Sequence, residues 1–143
     1  MLFLASDHAG FKLKGVVKQF LDFLNMPYED LGANTGENPD DYPDFAKKLV
    51  KKIKGKNDRG ILFCGSGAGM CMAANRHKGI RAVSGGNEHE VVMARLDNDA
   101  NVLCFGARLT NEYTAKKLTK VFLDTQFSGE TRHKRRIKKL DIR

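Results

Sequence analysis

The sequence contains no tryptophan, only three prolines and only three cysteines. Cys64, Cys71 and Cys104 are odd in number and form no CxxC pair. That speaks against a disulfide framework and against a zinc ribbon, and it suits a reducing cytoplasm. No His or Cys pair has metal-ligand spacing, so no metal is expected. No apolar run approaches the roughly 20 residues of a membrane span. The apolar start, Met1 to Ala5, lacks a basic flank and meets Asp7 at once. It reads as a first strand rather than a signal peptide. There is no internal repeat and no low-complexity stretch. Hydrophobic residues are 41% and charged residues 29%, a globular balance rather than a disordered one. The 143 residues are expected to form one domain, 1–143, able to bury about two-thirds of the unfolded surface.

Charge is present but uneven. The net charge is +8, and residues 131–143 hold seven Lys/Arg against Asp141. The other 130 residues carry 18 basic and 16 acidic groups, so the body is nearly neutral and the tail strongly basic. Three readings stay open on charge alone: a nucleic-acid arm, an anion site for a small phosphorylated ligand, or a solvated terminal helix. Arg132 and Arg136 are four apart and share a helical face, which suits one phosphate better than a diffuse polyanion. The tail has no aromatic residue, which weakens base stacking as its purpose.

Strand and helix patterns alternate. Leu2–Ala5 is a strand, and Leu13, Val16, Val17, Phe20, Leu21 and Leu24 then trace one helical face stopped by Met26-Pro27. Tyr28–Leu31 is a second strand, and residues 33–41 form a loop. Pro43 opens a second helix as its first residue. Ile61–Cys64 is a third strand, apolar on both faces as in a covered parallel sheet, and Gly79–Val83 and Val102–Phe105 are further strands. The helices between and after them run through Asn75, over Glu88–Leu96, over Thr114–Asp124 and over about 131–140. The fold class is therefore α/β: a Rossmann-like three-layer sandwich with a five-stranded parallel sheet and a C-terminal basic helix. A ligand in such a sheet binds beyond the carboxyl ends of the strands, near the switch in strand order.

Three strand ends carry chemistry. Cys64–Gly69 reads CGSGAG, a strand-to-helix turn whose backbone N–H groups can face an anion. It is neither a Walker motif nor a GxGxxG, and tight packing is its alternative. Cys64 at its mouth is a usable base or nucleophile, or else a buried strand cysteine. Cys71 and Cys104 read as core thiols. Asp7-His8 can hold a sugar hydroxyl or phosphate, or Asp7 can cap a helix with His8 exposed. Arg108 follows the fifth strand. His77, His89 and His133 read as surface.

The segments SDHAGFKLK, DYPDFA, GILFCGSGAGMCMAANRHKGIRA, ARLDNDANVLCFGAR and RHKRRI, in this order and spread along the chain, resemble the type B ribose-5-phosphate isomerases and their galactose-6-phosphate isomerase relatives. The resemblance implies a cytoplasmic aldose–ketose isomerase of pentose phosphate metabolism. It implies a homodimer or homotetramer with active sites at the subunit interface, no cofactor, no nucleic acid and no membrane. The reaction is D-ribose 5-phosphate to D-ribulose 5-phosphate through a cis-enediolate. The resemblance assigns C2 deprotonation to Cys64. A second branch uses glutamate at the position of Met70, and a thioether cannot accept a proton. It assigns the oxyanion hole to the backbone N–H groups of Ser66 to Gly69, places Gly65, Gly67, Ala68 and Gly69 among the substrate-binding residues, and gives proton movement between the oxygens to the Ser66 hydroxyl. Asp7 would grip sugar hydroxyls and Tyr42 would line the pocket. His8, Arg108, Arg132 and Arg136 would bind phosphate, and Asn98 would touch substrate across the interface.

One position departs from the pattern. Asp97 stands where the isomerases usually carry a ring-opening histidine. A normal aspartate, with a pKa of about 3.9, is a poor acid at neutral pH. Asp97 could open the ring with a raised pKa, the enzyme could use open-chain substrate, or the substrate could be a hexose 6-phosphate of allose or galactose type. A non-catalytic sugar-phosphate-binding protein is a further alternative.

Overall fold

The computed structural model describes residues 1–141; Arg143, counted in the basic tail, lies outside them, as does the end of the expected 1–143 domain. The elements follow in the order β1 (Leu2–Ser6), α1 (Phe11–Phe23), β2 (Glu29–Asp30), α2 (Tyr42–Val50), β3 (Arg59–Cys64), α3 (Ala68–Asn75), β4 (Ala82–Ser84), α4 (Glu88–Asn98), β5 (Val102–Gly106), α5 (Glu112–Asp124) and α6 (Thr131–Leu140). The five strands pair in the order β2-β1-β3-β5-β4, and every pairing is parallel. The expected α/β sandwich is thus observed.

β1, β3 and β5 lie inside the sheet, which explains their unbroken apolar runs. Their side chains divide between two cores. Leu2, Leu4, Ile61, Phe63, Leu103 and Phe105 pack against Leu13, Val17 and Leu21 of α1 and Leu118 and Phe122 of α5. Phe3, Ala5, Leu62, Val102 and Cys104 pack against Ala46 and Leu49 of α2 and Met70 and Ala74 of α3. Phe63 and Phe105 stack across adjacent strands with centroids 5.7 Å apart. Each fully buried side chain of this size contributes about 1.5–3 kcal/mol, so the central strands carry most of the fold.

Element boundaries differ from the sequence reading where side chains intervene. α1 ends at Phe23 because Asn25 turns left-handed, φ 53°, and not because of Pro27. The Asn25 and Met26 amides then donate to the Asp22 and Leu21 carbonyls, which closes the helix. Pro43 is the second residue of α2, after Tyr42. β4 starts at Ala82, not Gly79, because the Asn101 side chain takes the Arg81 N–H at 2.8 Å and donates to the Gly79 carbonyl at 2.8 Å. α5 begins at Glu112, two residues before Thr114, because the Asn111 side chain accepts the Thr114 N–H at 2.8 Å. α4 runs on to Asn98, so Asp97 and Asn98 occupy its last turn.

β1 connects outward to β2 on one side and β3 lies on its other side. The chain therefore switches direction between β1 and β3, and a crevice opens at their carboxyl ends. Asp7-His8 and the Cys64 turn are the segments that emerge there.

Candidate active site

At the end of β1, Asp7 is 5% exposed and Oδ1 accepts the Gly10 N–H at 2.8 Å. It therefore caps the turn into α1 and also faces the crevice. Burial pushes its carboxyl above the usual value, opposed by the Gly10 N–H and the neighbouring His8. His8 is not the exposed imidazole of the capping alternative. Its side chain is 33% exposed, and its Nδ1 lies 2.7 Å from Asp40 Oδ1.

β3 ends at Cys64, and Gly65–Gly67 turn the chain into α3. Gly67 has φ 80°, and a Cβ there would stand 2.9 Å from the Gly106 nitrogen and 3.0 Å from the Phe105 carbonyl carbon. Only glycine fits so tight a turn against β5. The turn aims the Gly67 N–H at Cys64 Sγ, 3.1 Å away. A backbone donor is the partner that negative charge on sulfur needs. The first amides of α3 follow, with the Ala68 N–H 3.4 Å from Ser66 Oγ. Such amides have no carbonyl partner within their own helix and can serve an oxyanion.

Two side chains close over this turn. Tyr42 lies so near Gly69 that a Cβ there would meet its ring at 2.7 Å. Arg108 covers Gly65 in the same way, with Nη1 2.9 Å from the missing Cβ. Together Asp7, His8, Ala9, Tyr42, Cys64, Gly65, Ser66, Gly69 and Arg108 line a cleft of about 200 Å³. A larger groove of about 560 Å³ runs beside α5 between Phe20, Val92, Tyr113 and Val121. It has no imidazole or thiol, so chemistry and not size selects the cleft at Cys64. Met70 is fully buried among the α2–α3 core residues and does not line the cleft.

The other sequence-named residues form a second group. Asp97 and Asn98 sit at the end of α4, and Arg132 and Arg136 are exposed on α6. None of the four lines the Cys64 cleft of the same chain. His133, expected at the surface, is instead 5% exposed. α6 packs on α4, with His133 buried against Asp97 and Ile137 half-buried one turn on, while its lysines and arginines are exposed. The His133 Nε2 lies 3.3 Å from Asp97 Oδ1 and 3.3 Å from Arg132 Nε. Asp97 is therefore half-buried beside an imidazole that the sequence reading left on the surface.

Cys71 and Cys104 behave as packed thiols. Cys104 is fully buried, and donating its S–H to the Cys71 sulfur, together with burial, pushes its thiol well up. The same bond holds Cys71 below its ordinary value. Two further residues escaped the sequence reading altogether. Lys14 is 1% exposed, with Nζ 2.7 Å from both Asp30 Oδ1 and the Ala33 carbonyl. Asp40 reaches His8 from 32 positions away. Periodicity signals neither, because both are polar residues paired across loops.

A doubly wound α/β sheet with a thiol, a glycine turn, an imidazole, a carboxylate and a guanidinium converging at its switch point defines a class: small-molecule enzymes that handle anionic substrates by proton transfer. The comparisons narrow this class. The family model described as Ribose/Galactose Isomerase matches residues 2–140. A probable ribose-5-phosphate isomerase B of Mycoplasma genitalium is 41% identical over 141 residues, covering 97% of this chain and 92% of that protein. Among solved structures, a ribose 5-phosphate isomerase from Thermotoga maritima superposes with TM-score 0.93 and 43% identity, over 98% of this chain and 96% of the other. A ribose-5-phosphate isomerase B from Mycoplasma genitalium with bound ribulose-5-phosphate superposes with TM-score 0.87 and 40% identity, over 97% and 92%. The chain belongs to the ribose/galactose isomerase family.

Proposed function

We propose that this protein is an aldose–ketose isomerase that interconverts D-ribose 5-phosphate and D-ribulose 5-phosphate. The observation that carries the reading is the Gly67 N–H directed at Cys64 Sγ within the cleft shared by Asp7, His8, Ser66 and Arg108. The relative with bound ribulose-5-phosphate supports the substrate.

In the open-chain aldose, the Cys64 thiolate removes the proton on C2. The C2–H electrons form the C1–C2 double bond, and O1 becomes an oxyanion. The amides of Ser66, Ala68 and Gly69 hold that charge, while the Gly67 N–H serves the Cys64 sulfur. The Ser66 hydroxyl passes the O2 proton to O1. The Cys64 thiol then returns its proton to C1 as O2 becomes the ketone. Hydrogen has moved from C2 to C1 and from O2 to O1, so no external oxidant or co-reactant is required. Asp7 binds sugar hydroxyls and Tyr42 walls the cleft.

The phosphate is held by His8 and Arg108 with Arg132 and Arg136, and Asn98 touches the sugar. Because α4 and α6 stand apart from the Cys64 cleft within one chain, we assign these last residues to a second copy. The unit of function is then a homodimer or homotetramer of a single domain, residues 1–143. Its three free thiols suit a cytoplasmic setting. Asp97, beside His133, takes the ring-opening position.

The decisive test is isomerisation of ribose 5-phosphate with solvent exchange at C2, in the parent and in Cys64→Ala. Loss of the general base is expected to lower kcat at least about 10³-fold. Retained turnover in the variant would remove Cys64 from the mechanism. Asp97 in place of histidine favours a second reading, a hexose 6-phosphate of allose or galactose type, which a panel of pentose and hexose phosphates separates.

A further inference from the structure

Asp40, the partner of His8, has no part in the reaction as derived. Asp40 lies at the end of the 33–41 loop, two residues before Tyr42. Its Oδ1 accepts the His8 backbone N–H at 3.0 Å and stands 2.7 Å from His8 Nδ1. The Asp40 backbone N–H also approaches Nδ1, at 3.3 Å. The two contacts ask opposite things of the ring. The N–H needs a bare Nδ1, whereas the carboxylate needs a proton on it. A bare Nδ1 at 2.7 Å from a carboxylate oxygen would set two lone pairs face to face. The shorter, charge-assisted contact decides, so Nδ1 carries the proton. Nε2 is then the ring atom left for a ligand.

We propose that Asp40 is a positioning residue: it clamps the His8 ring, keeps the proton on Nδ1 and leaves Nε2 to meet the phosphorylated end of the substrate. The inference rests on the isomerase reading above. Neutral His8 offers Nε2 as an acceptor for a sugar hydroxyl, and charged His8 offers it as a donor to a phosphoryl oxygen. The charged and titratable groups that line the cleft with His8 are Asp7 just beyond β1, Tyr42 from α2, Cys64 from β3 and Arg108 beyond β5, and Asp40 stands against the ring itself. Both carboxylates are already engaged, Asp7 by the Gly10 N–H and Asp40 by His8, and each therefore orients as well as charges the site.

The test compares Asp40→Ala and Asp40→Asn with the parent enzyme. The readouts are the ¹⁵N spectrum of the His8 ring, steady-state kinetics with ribose 5-phosphate, and competitive inhibition by inorganic phosphate. In Asp40→Ala the proton is expected to leave its fixed place on Nδ1. KM and the phosphate inhibition constant should rise about 10-fold with kcat within about 2-fold, the size of one lost oriented contact. In Asp40→Asn the Oδ1 stays anchored by the His8 N–H, so the tautomer and most of the affinity should be kept. An unchanged His8 spectrum in Asp40→Ala, or a fall in kcat at constant KM, would overturn the proposal. So would isomerase activity that a chelator abolishes and a divalent cation restores, because Asp7, His8 and Asp40 would then serve as ligands. If the parent turned over no sugar phosphate, the isomerase reading would fail while the spectrum still reported on Asp40.

Discussion

Gly67→Ala tests whether the β3–α3 turn is held open by backbone geometry. Gly67 has φ 80° and ψ −24°, a left-handed conformation. A side chain there costs about 1–2 kcal/mol. The added Cβ would also sit 2.9 Å from the Gly106 nitrogen and 3.0 Å from the Phe105 carbonyl carbon. These are backbone atoms of a central strand and cannot swing aside as a side chain could. Overpacking of this kind costs about 1–3 kcal/mol. The expected destabilisation is therefore about 2–5 kcal/mol, which for a chain of this size lowers Tm by about 6–15 °C. Relief of the clash must shift the turn away from β5, and the Gly67 N–H moves with it. The donor to Cys64 Sγ is then misplaced, so kcat should fall at least about 10-fold even at temperatures where the variant is folded. The assay is denaturant unfolding at one protein concentration, paired with isomerisation kinetics at 25 °C. A variant within 1 kcal/mol of the parent and with unchanged kcat would refute the turn's role in aligning the thiol.

Asp30 should shape the acid limb of stability. Burial raises its carboxyl pKa, but the hydrogen bonds from Lys14 and Lys18 outweigh this and leave it below the usual 3.8. The unfolded chain then binds more protons in that range, so the contribution is present above pH 3.8 and is lost as pH falls through the depressed folded value. Asp30→Asn should be less stable at neutral pH and show a flatter acid limb in unfolding measured across pH; an unchanged slope would count against the pairing. Arg132→Ala and Arg136→Ala should each raise KM for ribose 5-phosphate, by the roughly 1.5–3 kcal/mol of a charge-assisted contact, and an unaltered KM in both would remove them from phosphate binding. Asp97→His should speed turnover of cyclic ribose 5-phosphate, measured against a hexose 6-phosphate; a neutral or harmful result would favour another sugar.

The local rules of the chain determined much on their own. Apolar runs that need cover on both faces give a buried parallel sheet, and helical stripes between them supply that cover. That alone placed Asp7-His8, Cys64 and Arg108 along the carboxyl edge, because a parallel sheet gathers its carboxyl ends on one side, whereas the tertiary structure made β1, β3 and β5 neighbours. What period and propensity cannot carry is pairing between polar groups far apart in sequence. Asp40 on His8, Asp30 under Lys14, and His133 against Asp97 join residues that sit 32, 16 and 36 positions apart. Each is a polar side chain whose burial depends on a partner from another element, so its place exists only once both elements have docked. The same reason separates Asp97, Asn98, Arg132 and Arg136 from the thiol on a single chain: helix patterning puts Arg132 and Arg136 on α6 but ends α4 before Asp97 and Asn98, and only the packing of those helices shows that all four stand apart from the Cys64 cleft.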